Sequence, residues 1–146
     1  MQIEWFRAYV EKLLRVGLTG PPVPDADGDY PFRWGTAACW VRICEEPFLR
    51  VEVFAHAALG VKGSVALLRE LNDLTAGLLR GRVYVRDGVV VMEDNIPASA
   101  VTPEELAESC ACVGTLGHEL GVMLAAMFDG QTPFPADAEP IESEGA

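Results

Sequence analysis

The chain has 146 residues, half of them apolar, which is enough for one domain with a single hydrophobic core. Its 22 acidic and 11 basic residues give a formal net charge of −11, which repels nucleic acid phosphates and anionic membranes. Since the N-terminal residues lack the apolar core of a signal peptide and the apolar runs are too short to span a bilayer, we expect a cytoplasmic protein without a nucleic acid partner and without membrane insertion.

The first predicted element is an amphipathic helix. Apolar side chains recur in steps of three and four, at Ile3, Phe6, Val10 and Leu13. Charged side chains spaced four apart occupy the opposite side. The helix must end before the segment 17–29, because its Gly, Pro and Asp residues favour a loop.

Three strands are predicted next, separated by the short turns "GT" and "EEP". Apolar and polar side chains alternate over residues 30–34, 37–44 and 48–56, which is the period of a strand with one buried face. Their short connections favour consecutive antiparallel pairing. We therefore expect an antiparallel sheet with one strongly apolar face.

A leucine-rich second helix is predicted from about Ser64 to Leu79. Ser64 is a suitable N-cap, because its hydroxyl can accept a hydrogen bond from a free backbone N–H of the first turn. Gly81 is suited to the C-terminal end, where a residue with positive φ is common. The leucines share one side of the helix, so that side should cover the sheet.

Asp87-Gly88 predicts a two-residue hairpin turn between the strands 82–86 and 89–94. Such a turn fixes the register, in which the opposed pairs are Arg86 and Val89, Val85 and Val90, Tyr84 and Val91, Val83 and Met92, and Arg82 and Glu93. Val83, Val85, Val90 and Met92 then face the core. An ion pair between Arg82 and Glu93 falls on the other face.

The last helix is predicted to run to Met127. Thr102, Pro103 and Glu105 form an N-cap, a first-turn proline and a capping-box acid. A row of small side chains along this helix would let another backbone come close. The acidic segment 135–146 that follows is expected to be mobile.

Together these elements predict an α+β fold. One domain over residues 1–134 would contain a single antiparallel five-stranded sheet and three helices, in the order α-β-β-β-α-β-β-α. The composition and the turn signals agree with this reading throughout the chain.

No motif for catalysis or metal binding is present in the sequence. His56 and His118 have no partner that the sequence identifies, and we interpret both as structural or surface residues. The four cysteines form no C-x-x-C pair and are interpreted as buried thiols. The adjacent acids Glu93 and Asp94 are predicted to be solvated. We expect a protein that is not an enzyme and holds no metal ion or cofactor.

The second face of the predicted sheet is unusually apolar. By alternation it would carry aromatic and aliphatic residues between charged ones, and the candidate partner-binding residues are Trp40, Arg42, Phe54, Tyr84, Val89 and Val91. Aromatic side chains beside arginines are typical of interfaces. Either this face binds a partner, or one of the helices covers it; the sequence leaves both alternatives open.

The element order and several segments resemble the class I type III secretion chaperones and the related YbjN-like proteins. The likeness covers residues 2–134 and is carried by "DGDYPFRWG", "LLRELNDL", "RVYVRDGVVVMEDNIP" and "FDGQTPF". The resemblance implies a small acidic α+β protein, often dimeric, that binds extended segments of another protein along a sheet and helix surface without catalysis.

The predicted function is therefore that of a non-enzymatic module that binds a protein or peptide client. An unstructured client segment would lie across the aromatic sheet face, with Trp40, Phe54 and Tyr84 as anchors. The alternative is a structural or regulatory homodimer that uses the same surface for self-association and has no client.

Overall fold

The structure is a computed structural model that describes residues 2–17 and 21–135; the segment 136–146, which contains most of the predicted mobile tail, lies outside the described residues. The elements in chain order are α1 (Ile3–Gly17), β1 (Tyr30–Trp34), β2 (Ala37–Cys44), β3 (Arg50–Ala58), α2 (Val65–Gly77), β4 (Arg82–Arg86), β5 (Val89–Pro97) and α3 (Pro103–Met127). The five strands form one antiparallel sheet. The predicted fold class and element order are confirmed.

The strands lie in the order β1-β2-β3-β5-β4, so the hairpin inserts its second strand beside β3 and leaves its first strand at the edge. The predicted hairpin register is confirmed at every pair from Arg86 and Val89 to Arg82 and Glu93. Asp87 and Gly88 both have positive φ, 53° and 77°, as a two-residue turn of this kind requires.

All three helices contribute to one core on one face of the sheet. Phe6 and Val10 of α1, Leu67 of α2 and Leu124 of α3 belong to the same buried cluster as the inward side chains of the strands. The small residues of α3 allow a close approach to the sheet, because a Cβ at Gly121 would collide with the backbone of Ala57. The predicted small-residue row therefore packs on the sheet.

Several predicted boundaries shift in the structure. The predicted strand 48–56 lies at Arg50–Ala58 instead, since Phe48 is in the preceding turn and is exposed. The second helix ends at Gly77 rather than Leu79, and Gly81 lies in the loop with a φ of 78°. In α1, Leu14 rather than Leu13 is buried.

The longest helix, α3, bears on the expectation about membranes. By length and composition alone α3 is long and apolar enough to cross a bilayer. A helix that packs on the core of a soluble protein meets the same criterion. In this fold α3 lies against four strands of the sheet, and Glu104 and Glu105 occupy its first turn.

Candidate functional site

The second face of the sheet is open. Across it Trp40 opposes Phe54, Phe54 opposes Glu93, and a neighbouring row runs from His56 through Val91 to Tyr84. Phe54 and Val91 are buried, yet neither belongs to the main core cluster. Within residues 2–17 and 21–135 the helices pack on the opposite face, which decides against the alternative in which a helix covers this one.

The structure brings the six predicted partner-binding residues together on this open face: Trp40, Arg42, Phe54, Tyr84, Val89 and Val91. All of them except Trp40 line one hollow of about 410 Å³, and the Trp40 ring stacks on Phe54 beside it. The remaining lining residues are Glu52, His56, Arg82, Arg86, Asp87 and Glu93. The hollow is therefore lined by aromatic and aliphatic residues together with charged ones.

Aromatic stacking fixes the floor of the hollow. The rings of Trp40 and Phe54 are stacked with their centroids 5.2 Å apart, and His56 packs on Trp40 at 4.6 Å. The guanidinium carbon of Arg42 lies 4.5 Å from the centre of the Phe54 ring, in cation–π geometry. Phe54 is thus enclosed between neighbours, while Trp40 remains half-buried and accessible.

Glu93 is the polar centre of the open face. It is only 3% exposed, and it accepts hydrogen bonds from the Tyr84 hydroxyl at 2.7 Å, from Arg82 Nη2 at 2.8 Å and from Asn95 Nδ2 at 3.0 Å. Burial alone would raise its pKa, but these hydrogen bonds outweigh burial and lower the pKa. The predicted ion pair with Arg82 is confirmed. The prediction that Glu93 is solvated is wrong.

Asp94 is also buried, again in contrast to the prediction. Its side chain is on the helix face of β5, where it accepts a hydrogen bond from Ser109 Oγ at 2.7 Å and pairs with Arg80 Nε at 2.7 Å. The side chains of Glu93 and Asp94 therefore lie on opposite faces of the sheet, because successive side chains of a strand point to alternate faces. Each is stabilised by one arginine and one hydroxyl group.

Two further groups in the hollow have shifted pKa values. Burial raises the pKa of Glu52, and the negative charge of Glu93 raises it further. Burial lowers the pKa of His56, and the charge of Arg42 acts in the same direction. Both shifts favour the neutral form of the side chain.

Arg42 is held in place by an acid that the sequence did not identify. Asp29, immediately before β1, places its Oδ2 2.8 Å from Arg42 Nη2 and is almost fully buried. Glu52 adds a longer contact of 3.4 Å to Nη1. The positive charge of Arg42 is therefore already compensated, and its role in the site is to cover Phe54.

His118 has a structural role, as predicted. Its Nδ1 accepts a hydrogen bond from the backbone N–H of Thr36 at 3.0 Å, which ties α3 to the turn between β1 and β2. Gly35 has a φ of 61° and a Cβ there would collide with the His118 ring. The turn between β1 and β2 therefore packs closely against the His118 ring.

Both edges of the sheet carry a feature that hinders the addition of another strand. Pro31 in the edge strand β1 has no N–H to donate. In β4, Thr75 Oγ1 accepts a hydrogen bond from the N–H of Val83 at 3.1 Å and donates one to its carbonyl oxygen at 3.0 Å. The open face is therefore more available to a partner than the edges are.

Sequence reasoning identified the open face from alternation but missed Asp29, His56 and Asn95 as parts of it. His56 and Asn95 follow the same alternation along β3 and β5, so the signal was present in the sequence. Asp29 could not be found in this way, because it precedes β1 and reaches Arg42 only through the fold.

Residues 4–136 match the family TY-Chap1, described as T3SS (YopN, CesT) and YbjN peptide-binding chaperone 1. This match confirms the family resemblance that the sequence segments indicated. No curated protein matches the chain in sequence.

Two solved structures have a similar fold. A chain in the crystal structure of the ExsC–ExsE complex has a TM-score of 0.64 at 19% identity, covering 80% of this chain and 94% of that chain. A chain in the crystal structure of the Yersinia pestis type III secretion chaperone SycH in complex with a stable fragment of YscM2 has a TM-score of 0.56 at 14% identity, covering 82% of this chain and 98% of that chain. At these identities the likeness is one of fold.

Proposed function

The chain belongs to the family of T3SS and YbjN peptide-binding chaperones, and from this we propose that it binds an extended segment of a client protein on the open face of its sheet. The proposal includes a non-enzymatic role in the cytoplasm. The observation that carries it is the hollow of about 410 Å³ with its aromatic floor, on a sheet face that the described helices leave uncovered.

The chemistry of this face suits a peptide. Apolar side chains of a client would gain from burial against Trp40 and Tyr84, which are half-buried and can lose further surface. Phe54 and Val91 are already nearly inaccessible, so they form the floor on which those two aromatic residues rest. Of the predicted anchors, we therefore assign direct contact chiefly to Trp40 and Tyr84.

The protected edges favour a client that lies on the face over one that adds a strand. Pro31 and the hydrogen bonds of Thr75 to Val83 reduce the backbone groups that a client strand could use. Side-chain contacts in the hollow, which Val89 also lines, would then provide most of the affinity.

The test is a binding measurement with the double variant Trp40→Ala and Tyr84→Ala. We expect loss of capture of an extended client peptide, since both accessible rings of the face are removed. Trp5→Ala is a matched control, because Trp5 is an exposed tryptophan on α1 that stacks on Tyr9, away from the open face. Capture that survives in the double variant, with an intact fold by circular dichroism, would contradict this assignment.

A homodimer without a client is the second candidate. The same composition of aromatic residues and arginines suits self-association of the open face. Analytical ultracentrifugation of the wild-type chain and of the Trp40→Ala, Tyr84→Ala variant separates the two candidates. A dimer that dissociates in this variant favours self-association, and an unchanged oligomeric state favours a client site.

A further inference from the structure

The open face differs in charge from the rest of the molecule. Five of the 11 basic residues project from it, and of the acidic residues within 2–17 and 21–135 only Glu52 and Glu93 occupy strand positions on the same face. The five are Arg33, Arg42, Arg50, Arg82 and Arg86. Even with Asp29 and Asp87 at the strand ends counted, the face has a small positive charge on a chain of net charge −11.

Three of these arginines have no carboxylate within 4.0 Å among the described residues: Arg33, Arg50 and Arg86. Arg33 donates to the carbonyl oxygen of Gly35, and Arg50 donates to Asn95 Oδ1 at 2.9 Å. Arg86 is exposed at the rim of the hollow, 5.5 Å from the centre of the Tyr84 ring. Its guanidinium group is therefore the one best placed to receive an anion beside the aromatic contact.

Resting on the proposed function, we propose that the open face selects client segments in which acidic residues alternate with apolar ones. An apolar client side chain would enter the hollow beside Tyr84, and a neighbouring Asp or Glu would pair with Arg86. Guanidinium and carboxylate groups can form two parallel hydrogen bonds, which fixes orientation as well as adding affinity.

The negative charge of the rest of the molecule confines the attraction of acidic segments to the open face. The net charge of −11 repels an acidic peptide at long range, so association should be slow at low salt. At about 0.1 M salt the Debye length is about 10 Å, and within that distance the arginines attract the peptide. Basic peptides would instead be attracted to the acidic remainder of the surface and would not be directed to the hollow. Charge therefore separates binding at the open face from non-specific attachment elsewhere.

The experiment uses the full chain and three labelled twelve-residue peptides that share alternating Leu and Phe residues. The intervening positions are Asp and Glu in the first, Asn and Gln in the second, and Lys in the third. Fluorescence anisotropy gives the affinity for each peptide with the wild type, with Arg86→Glu and with Arg69→Glu. Arg69 is exposed on α2, so its variant makes the same change in net charge away from the open face.

We expect the wild type to bind the acidic peptide most tightly and Arg86→Glu to weaken that binding by about tenfold or more, as for a close charge pair at an interface. Arg69→Glu should change it by less than about threefold. The charge selection would be overturned if the wild type bound the acidic and neutral peptides with equal affinity. If the Trp40→Ala, Tyr84→Ala variant then bound neither peptide, the proposed function would still stand. Binding of none of the three peptides would overturn both.

Discussion

The Tyr84 hydroxyl donates a hydrogen bond of 2.7 Å to Glu93 Oε1, across the hairpin and on the open face of the sheet. The bond joins the one aromatic residue of β4 to the buried acid on the open face of β5. Burial and this bond to an anion together raise the pKa of Tyr84 to about 12, so its hydroxyl remains a donor over the physiological range. The orientation of the Tyr84 ring in the hollow thus depends on the charge state of Glu93.

Glu93→Gln should destabilise the fold by about 1–3 kcal/mol at neutral pH, because it removes a buried charge that holds Arg82, Tyr84 and Asn95. The lowered pKa of Glu93 determines the direction in which this stability depends on pH. Its contribution to stability is present above the ordinary glutamate pKa of 4.5 and is lost as the pH falls through the lowered value. Urea denaturation should show that the difference from wild type shrinks in acid; a difference independent of pH would contradict this account.

Glu52→Gln is the contrasting variant on the same face. Burial and the charge of Glu93 raise the pKa of Glu52, so the folded state favours its protonated form. Its contribution to stability is present in acid and is lost as the pH rises through the raised value. We expect Glu52→Gln to be neutral or stabilising at neutral pH by the same urea measurement. A loss as large as that of Glu93→Gln would show that the contact with Arg42 outweighs burial.

Gly121→Ala should destabilise the chain by about 1–3 kcal/mol, since the new Cβ would meet the backbone of Ala57 and force α3 away from the sheet. Gly77→Ala is the matched control at the end of α2. There a Cβ has no atom within 4 Å, and we expect no loss and a gain of up to about 1 kcal/mol. Thermal denaturation of the two variants compares them directly, and equal melting temperatures would contradict close packing at Gly121.

Local sequence signals predicted most of the fold. The Asp87-Gly88 turn fixed the hairpin register, and Thr102 and Ser64 cap the helices where predicted, with hydrogen bonds from the backbone N–H of Glu105 and Leu67. These features depend on residues within a few positions of each other. The pairing of β3 with β5 was not predicted, because it joins strands separated by α2 and β4.

The candidate face was predicted from the period of two along each strand, but its electrostatics were not. Asp29 reaches Arg42 from a loop, and Asn95 bridges Arg50 and Glu93 only because β3 pairs with β5. The burial of Glu93 and Asp94 was missed for the same reason. Two adjacent acids suggest a solvated strand end until the fold places Arg82 of β4 beside Glu93 and Arg80, from the connection before β4, beside Asp94.

Ser109→Ala should cost about 1–2 kcal/mol, because Ser109 is fully buried and its hydroxyl donates to the buried Asp94. Arg80 would remain as the partner of Asp94, which limits the loss. Ser99→Ala is the control, since Ser99 is exposed in the short turn Ala98–Ala100 before α3. Urea denaturation gives both free energies of unfolding. An unchanged value for Ser109→Ala would mean that Asp94 is satisfied without the hydroxyl.

Thr75→Val tests the protection of the β4 edge. Val has nearly the shape of Thr, so the variant keeps the packing of α2 and removes both hydrogen bonds to the backbone of Val83. We expect a loss of about 1–2 kcal/mol in stability and faster hydrogen exchange at the Val83 amide, read by NMR. Thr75→Ser keeps the hydroxyl and should preserve the slow exchange. If the Val83 amide stays protected in Thr75→Val, the two hydrogen bonds of Thr75 are not what protects the β4 edge. Packing of α2 against β4 would then be the reason that strand addition is disfavoured.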